Sequence, residues 1–145
     1  MPHVGNDIVD LTHPDARGKS RNIRFLRRIC TPDEQARLSH ACCPDTLLWA
    51  LWAAKETAYK VVSKTHPGVS SAPRLYRVGY DGAGGEAATG TGNYVPGLVS
   101  TPCGDVSIGL LISREYVHCI GVARPPADIS KVIWEVKRIP GDGMP

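Results

Sequence analysis

Residues 46–64, Thr46-Leu-Leu-Trp-Ala-Leu-Trp-Ala-Ala-Lys-Glu-Thr-Ala-Tyr-Lys-Val-Val-Ser-Lys64, read as one long helix, and its chemistry decides the fold. Pro44-Asp45 opens it and Pro67-Gly68 ends it. Leu47, Leu48, Ala50, Leu51, Ala53, Ala54, Ala58 and Val61 are mostly strong helix formers. A helix this apolar is expected to be central and buried on more than one side. Yet it carries Lys55, Glu56 and Lys60 beyond the flanking Trp49 and Trp52. Charges are rarely placed in such a stretch without a task, because burying them is costly. Glu56 and Lys60 are four residues apart and share a face. A carboxylate there can hold a divalent cation while the ammonium groups meet phosphate oxygens. Mg²⁺ suits this, taking one or two carboxylates and completing its shell with phosphates and water. The plain alternative is a surface ion pair worth about 0.3–0.5 kcal/mol.

Upstream, residues 3–11, His-Val-Gly-Asn-Asp-Ile-Val-Asp-Leu, predict a short strand. Alternation puts Asp7 on the face of Gly5, Val9 and Leu11, with Asp10 opposite. Asp7 is the candidate for a second carboxylate on the cation held by Glu56. Residues 12–15 are a turn. Residues 20–30 predict a helix with Ile23, Leu26 and Cys30 as its apolar stripe. Arg21, Arg24 and Arg28 recur on another side, either as a solvated face or as a docking surface. Thr31-Pro32-Asp33-Glu34 is a strong helix start, with Thr31 as cap, Pro32 in the first turn and Glu34 closing a capping box. That helix is expected to reach about residue 40.

The second half changes character. Residues 74–80 alternate, with Tyr76, Val78 and Tyr80 on one face of a strand. Residues 81–104 are rich in Gly, Thr and Pro and predict a mobile loop holding one short strand near 94–99. Residues 106–112 and 116–123 are apolar runs around Ser113-Arg114-Glu115, a hairpin. Residues 132–139 alternate again. A strand, then helices, then antiparallel strands make an α+β domain and not a doubly wound sheet.

The 145 residues are expected to form one domain, with 42% hydrophobic and 21% charged residues. No apolar run reaches the roughly 20 residues of a membrane helix. Residues 1–10 hold two acids and no lysine or arginine, unlike a signal or transit peptide, so the expected location is the cytoplasm. Five cysteines without a Cys-x-x-Cys pair fit reduced thiols and no zinc site. Residues 17–28 hold six bases (Arg17, Lys19, Arg21, Arg24, Arg27 and Arg28) and no acid, although lysines and arginines number only 17 against 14 acids overall. The remainder of the chain is therefore weakly acidic. A basic patch on an acidic body suits an acidic partner. It is a thin footprint for nucleic acid, since few aromatics interleave with the bases.

Three blocks now fall into order: Gly5-x-Asp7-Ile8-Val9-Asp10; Arg24-Phe25-Leu26-x-Arg28-Ile29-x-Thr31-Pro32-x-Glu34; and Trp52-Ala53-Ala54-Lys55-Glu56-x-Ala58-x-Lys60. Together they resemble the 4′-phosphopantetheinyl transferase superfamily, nearest its short, single-copy branch typified by holo-acyl-carrier-protein synthase. The match covers residues 4–60. The resemblance implies transfer of 4′-phosphopantetheine from coenzyme A to a carrier-protein serine, releasing adenosine 3′,5′-bisphosphate. It implies that Asp7 and Glu56 bind Mg²⁺, with Mn²⁺ left open, on the coenzyme A diphosphate. It places Lys60 on that diphosphate, and Lys55 beside it on phosphate. Glu56, or a water it positions on the metal, becomes the candidate base. Val9 stands where the two-copy branch has a further acid, so a water would fill that coordination position. Arg21, Arg24 and Arg28 would dock an acidic acyl or peptidyl carrier protein and speed its encounter. The short branch implies a homotrimer with pockets between protomers.

Three places depart from the family pattern. His13 stands where a basic residue follows the first strand. Ser63-Lys64-Thr65-His66-Pro67-Gly68 replaces a Gly-Thr-Gly loop, and Ile112-Ser113-Arg114-Glu115-Tyr116 replaces a Ser-x-Ser-His-Ser strand. Arg114 is the residue there able to meet a phosphate or ribose. His118, on a strand, reads as a packed histidine. These departures leave a competing expectation: a non-catalytic relative that binds a nucleotide or an acidic carrier-like protein.

Overall fold

The computed structural model describes residues 3–80 and 94–123. Strand β1, Val4–Asp10, alternates as expected: Gly5, Asp7 and Val9 turn inward, while Val4, Asn6, Ile8 and Asp10 turn outward. Asp10 ends it by accepting hydrogen bonds from Thr12 N and Oγ1.

Helix α1 is Ile23–Ile29, shorter at its start than the expected 20–30. Gly18 at φ 80° turns the chain, Lys19–Arg21 forms a separate 3₁₀ turn, and Asn22 caps α1 through Phe25 N. Asp45 imposes this break by accepting from Gly18 N at 2.8 Å and Ser20 N at 3.0 Å. The expected stripe shifts too. Leu26 and Cys30 face inward as expected, but Ile23 is 62% exposed and Phe25 and Ile29 join the inner face in its place.

Helix α2, Pro32–Ser39, carries both bonds of the expected Thr31–Glu34 capping box. Helix α3, Pro44–Val62, begins two residues earlier than predicted, because Pro44 itself takes the first helical turn. It ends before the predicted residue 64. Its apolar side chains form the centre of the core.

The sheet runs β1, β5 (Tyr116–Ala123), β4 (Gly104–Ile112), β3 (Val95–Thr101), β2 (Arg77–Tyr80), antiparallel throughout among the described residues. Strand β2 is Arg77–Tyr80, since Pro73–Leu75 forms a 3₁₀ turn where strand was expected from residue 74. Tyr76 and Val78 are buried as predicted. Strand β3, Val95–Thr101, is longer than expected and pairs along its whole length with β4, Gly104–Ile112. The predicted loop to residue 104 therefore needs correction: pairing with an apolar neighbour overrides weak β-propensity. Residues 81–93 and the strand predicted at 132–139 lie outside the described residues. Strand β5, Tyr116–Ala123, completes the predicted hairpin with β4.

Helix α3 lies across the inward face of this sheet. Two glycines let it approach. A Cβ on Gly121 would stand 2.7 Å from Thr57 Cγ2, and one on Gly5 would stand 3.0 Å from Val61 Cγ2 and 3.3 Å from Thr57 O. The result is an α+β fold whose first strand is held against the last turns of α3.

Candidate active site

The close approach at Gly5 brings Asp7 beside the outer turns of α3. Lys60 Nζ donates to Asp7 Oδ1 at 2.9 Å and to Asn6 O at 3.0 Å. Lys60 is 46% exposed and Asp7 17%, so the pair is open to a ligand and contributes little to stability. Glu56, half-buried, lies one helical turn before Lys60. Burial raises its carboxyl above the ordinary value, the Asp7 charge adds to this, and Lys60 opposes it. Two carboxylates whose charges repel, one of them paired with an ammonium, form a cation-seeking patch. The donors are hard oxygens, the set Mg²⁺ or Mn²⁺ takes. Among the described residues there is no cluster of three or more His, Cys, Asp or Glu, so the patch offers two carboxylates and no third such side chain.

Lys55 is not part of this patch, which corrects the expectation that it meets phosphate. Successive helical residues point about 100° apart, so Lys55 leaves the face of Glu56 and Lys60. Its ammonium is enclosed by Glu34 Oε1 at 2.6 Å, Ile29 O at 2.8 Å and Pro73 O at 3.0 Å. Burial lowers its pKa and Glu34 opposes the fall.

Glu34 is the residue that sequence reasoning undervalued. Beyond its cap bond to Thr31 N, it accepts from Lys55 Nζ and, at Oε2, from Val78 N at 3.0 Å. The capping box was visible, but its long-range partners carry no local signal. Asn6 was also missed; its carbonyl belongs to the Lys60 cradle because it adjoins Asp7.

His13 and Arg114 lie apart from the carboxylates. His13 is in the turn after β1, where Nδ1 accepts from Asp15 N at 3.1 Å. Arg114 is exposed in the β4–β5 turn. The two turns adjoin, since Leu11 N donates to Glu115 O at 2.8 Å. No hydrogen bond or ion pair among the described residues joins either side chain to Asp7, Glu56 or Lys60. His118 is packed, 3% exposed, with Nδ1 2.7 Å from the Tyr94 hydroxyl. Burial lowers its pKa, against the opposing pull of Asp7.

Arg21, Arg24 and Arg28 are all exposed. Phe25 roots this basic surface, its ring 5.9 Å from Trp49 and 6.4 Å from Trp52. Lys19 Nζ and Arg28 Cζ lie 5.5 and 5.7 Å from the same ring centroid. Trp49 in turn donates to Ala16 O at 2.7 Å, so the aromatic cluster ties the basic segment to α3.

Residues 3–93 match the model of the 4′-phosphopantetheinyl transferase superfamily, and the chain belongs to that superfamily. It is a transferase whose general activity is phosphopantetheinyl transfer to a carrier protein. Among solved structures, the holo-[acyl-carrier-protein] synthase (AcpS) from Neisseria meningitidis is similar to it. The TM-score is 0.61 at 23% identity, over 84% of this chain and 97% of that one. That likeness establishes the shared fold. No curated protein matches the sequence. Among the described residues, no helix is long and apolar enough to cross a membrane.

Proposed function

We propose that this chain is a transferase of the holo-acyl-carrier-protein synthase type. It moves 4′-phosphopantetheine from coenzyme A to a serine of an acyl or peptidyl carrier protein, in a reaction dependent on Mg²⁺ or Mn²⁺. The observation that carries the reading is the meeting of Asp7, Glu56 and Lys60 between β1 and α3. Asp7 and Glu56 hold the divalent ion. When bound, the ion neutralises charge on the diphosphate.

In the step itself the serine Oγ bonds to the phosphorus bearing the pantetheine arm. The diphosphate P–O bond breaks, and adenosine 3′,5′-bisphosphate departs with the bonding electrons. Lys60 offsets the negative charge on the diphosphate. The serine proton leaves toward Glu56 or toward a water that Glu56 positions. Catalysis of this kind needs positioning and charge neutralisation more than covalent help.

Arg21, Arg24 and Arg28 receive the acidic carrier. His13 and Arg114, in adjoining turns beyond β1, take the nucleotide end of coenzyme A. The working unit is a cytoplasmic homotrimer, a state that solution mass checks directly.

The test is to incubate the chain with coenzyme A, Mg²⁺ and an apo carrier protein. The carrier should gain the mass of one phosphopantetheine arm, and chelation of the metal should stop the gain. Binding of coenzyme A or carrier without any mass gain would favour a non-catalytic relative.

A further inference from the structure

The ion pair between Lys60 and Asp7 sets a condition on any cation that would use Asp7. The carboxylate oxygen Oδ1 already accepts the Lys60 ammonium at 2.9 Å. A divalent cation on that oxygen would have the ammonium as a like-charged neighbour at contact distance. We propose that Lys60 makes the binding of a divalent cation and of a diphosphate interdependent: its ammonium competes with the cation for Asp7 and is released to the diphosphate. The proposal rests on the reading that Asp7 and Glu56 hold the cation, and it adds how that site is regulated.

The geometry supplies a fixed stem and a movable head. A Cβ built on Gly5 would lie 3.4 Å from Lys60 Cβ, so the base of the side chain is packed against β1. The ammonium end belongs to a side chain that is 46% exposed. Lysine carries a compact charge on a flexible stem and changes partner readily. Asn6 O, at 3.0 Å, is a second acceptor that carries no net charge. Lys60 can keep that bond while leaving Asp7, so opening the ion pair does not strand the ammonium.

Linkage then fixes the sign. A diphosphate that draws Lys60 away frees Asp7 and tightens the cation. By reciprocity the cation tightens the diphosphate equally. Coupling of this kind is typically 5–150-fold, and a half-exposed pair belongs near the lower end, about tenfold.

The test titrates Mn²⁺ into the full chain and follows free Mn²⁺ by its electron paramagnetic resonance signal, without any turnover. With Mn²⁺ alone, Lys60→Met should bind about tenfold tighter than wild type, and Lys60→Gln should behave alike. Lys64→Met is the charge control. Lys64 donates to Val4 O, one helical turn further on, and its loss removes the same charge without touching Asp7. That variant should leave Mn²⁺ affinity within about twofold of wild type. Coenzyme A should tighten Mn²⁺ more in wild type than in Lys60→Met. Unchanged Mn²⁺ affinity in both Lys60 variants, or an equal gain in Lys64→Met, would overturn the proposal. Asp7→Asn separates the two readings. If it fails to weaken Mn²⁺ binding, the cation site is wrong. If it weakens binding while the Lys60 variants do nothing, only the coupling is wrong.

Discussion

Lys55 Nζ stands 2.6 Å from Glu34 Oε1, and both side chains are only 2% exposed. The pair joins the middle of α3 to the start of α2. Through Ile29 O, Pro73 O and Val78 N it also gathers the end of α1, the 3₁₀ turn and β2. Such a pair is weak evidence of net stabilisation, but breaking it strands a buried charge. Lys55→Met should therefore cost about 3–5 kcal/mol in urea unfolding. Adding Glu34→Gln should recover part of that loss, because a neutral amide keeps an oxygen for Thr31 N or Val78 N. A single variant within 1 kcal/mol of wild type, a small change on the usual scale, would show the pair is not formed.

Glu56 shows the opposite economy, a group that functions at the expense of stability. Its carboxyl is held above the ordinary value, first by burial and then by Asp7. A folded-state pKa above the unfolded one favours folding fully below the unfolded pKa. That contribution is lost as pH rises through the folded pKa. Once ionised, the carboxylate is therefore a burden on the fold. Glu56→Gln should raise Tm near pH 7, and the gain should vanish at acid pH where the wild-type group is protonated. The same variant should lose phosphopantetheinyl transfer. Near-normal transfer at saturating Mg²⁺ would remove Glu56 from the site.

Asp45 controls the basic segment at a distance. Partial burial raises its pKa, but hydrogen bonds from Ser20 and Gly18 and the charge of Arg21 outweigh this and hold it low. A depressed carboxylate contributes stability above its unfolded pKa and loses it as pH falls through the folded pKa. Asp45→Asn should cost about 1 kcal/mol at pH 7, less than a buried charged hydrogen bond because the site is part-exposed. The difference should fade in acid. Since the segment leads into Arg21 and Arg24, KM for the carrier should rise with little change in kcat. A kcat loss at unchanged KM would place the defect elsewhere.

The pattern of what could be read follows from range. Strand β1, the Thr31–Glu34 box, α3 and the β4–β5 hairpin are written in local periodicity and capping residues, and they stand where the sequence puts them. The three blocks likewise mark Asp7 and Lys60, which the fold brings to 2.9 Å, with Glu56 one helical turn before Lys60. What was not legible depends on distant partners. The start of α1 is displaced by Asp45, 25 residues away from Ser20. The Gly- and Pro-bearing β3 reads only as a short strand near 94–99, and its extension to Thr101 depends on pairing with β4. Lys55 adjoins Glu56 in sequence, and only the position of α2 shows that its charge is spent inside the protein.

The arginine surface should act on encounter more than on chemistry. Arg21, Arg24 and Arg28 are exposed, so each contributes through a field that salt screens over about 8 Å at physiological ionic strength. Reversing two of them, Arg24→Glu with Arg28→Glu, should slow carrier association by about tenfold or more at low salt. The gap from wild type should narrow as salt rises. Turnover of coenzyme A at saturating carrier should remain. A loss independent of salt would mean that these residues contact the reaction itself.

Gly5 is where fold and chemistry depend on the same missing atom. A methyl group there would press on Val61 Cγ2 at 3.0 Å and on the backbone oxygen of Thr57 at 3.3 Å. The backbone of α3 cannot yield as a side-chain tip can, so β1 must lift away from it. Asp7, two residues along the same face, would move with it, away from Lys60 and Glu56. Overpacking of this kind costs about 1–3 kcal/mol. Gly121→Ala provides the comparison. It brings a Cβ to 2.7 Å from Thr57 Cγ2, but on β5, a strand that carries none of the three site residues. Both variants should lose stability in urea. Gly5→Ala alone should also weaken Mn²⁺ binding and transfer by about tenfold, a shift of a few tenths of an ångström costing less than the roughly 100-fold of a 1 Å misplacement at a reacting centre. Equal losses of Mn²⁺ affinity in both variants would mean that general loosening, and not the placement of Asp7, accounts for the effect.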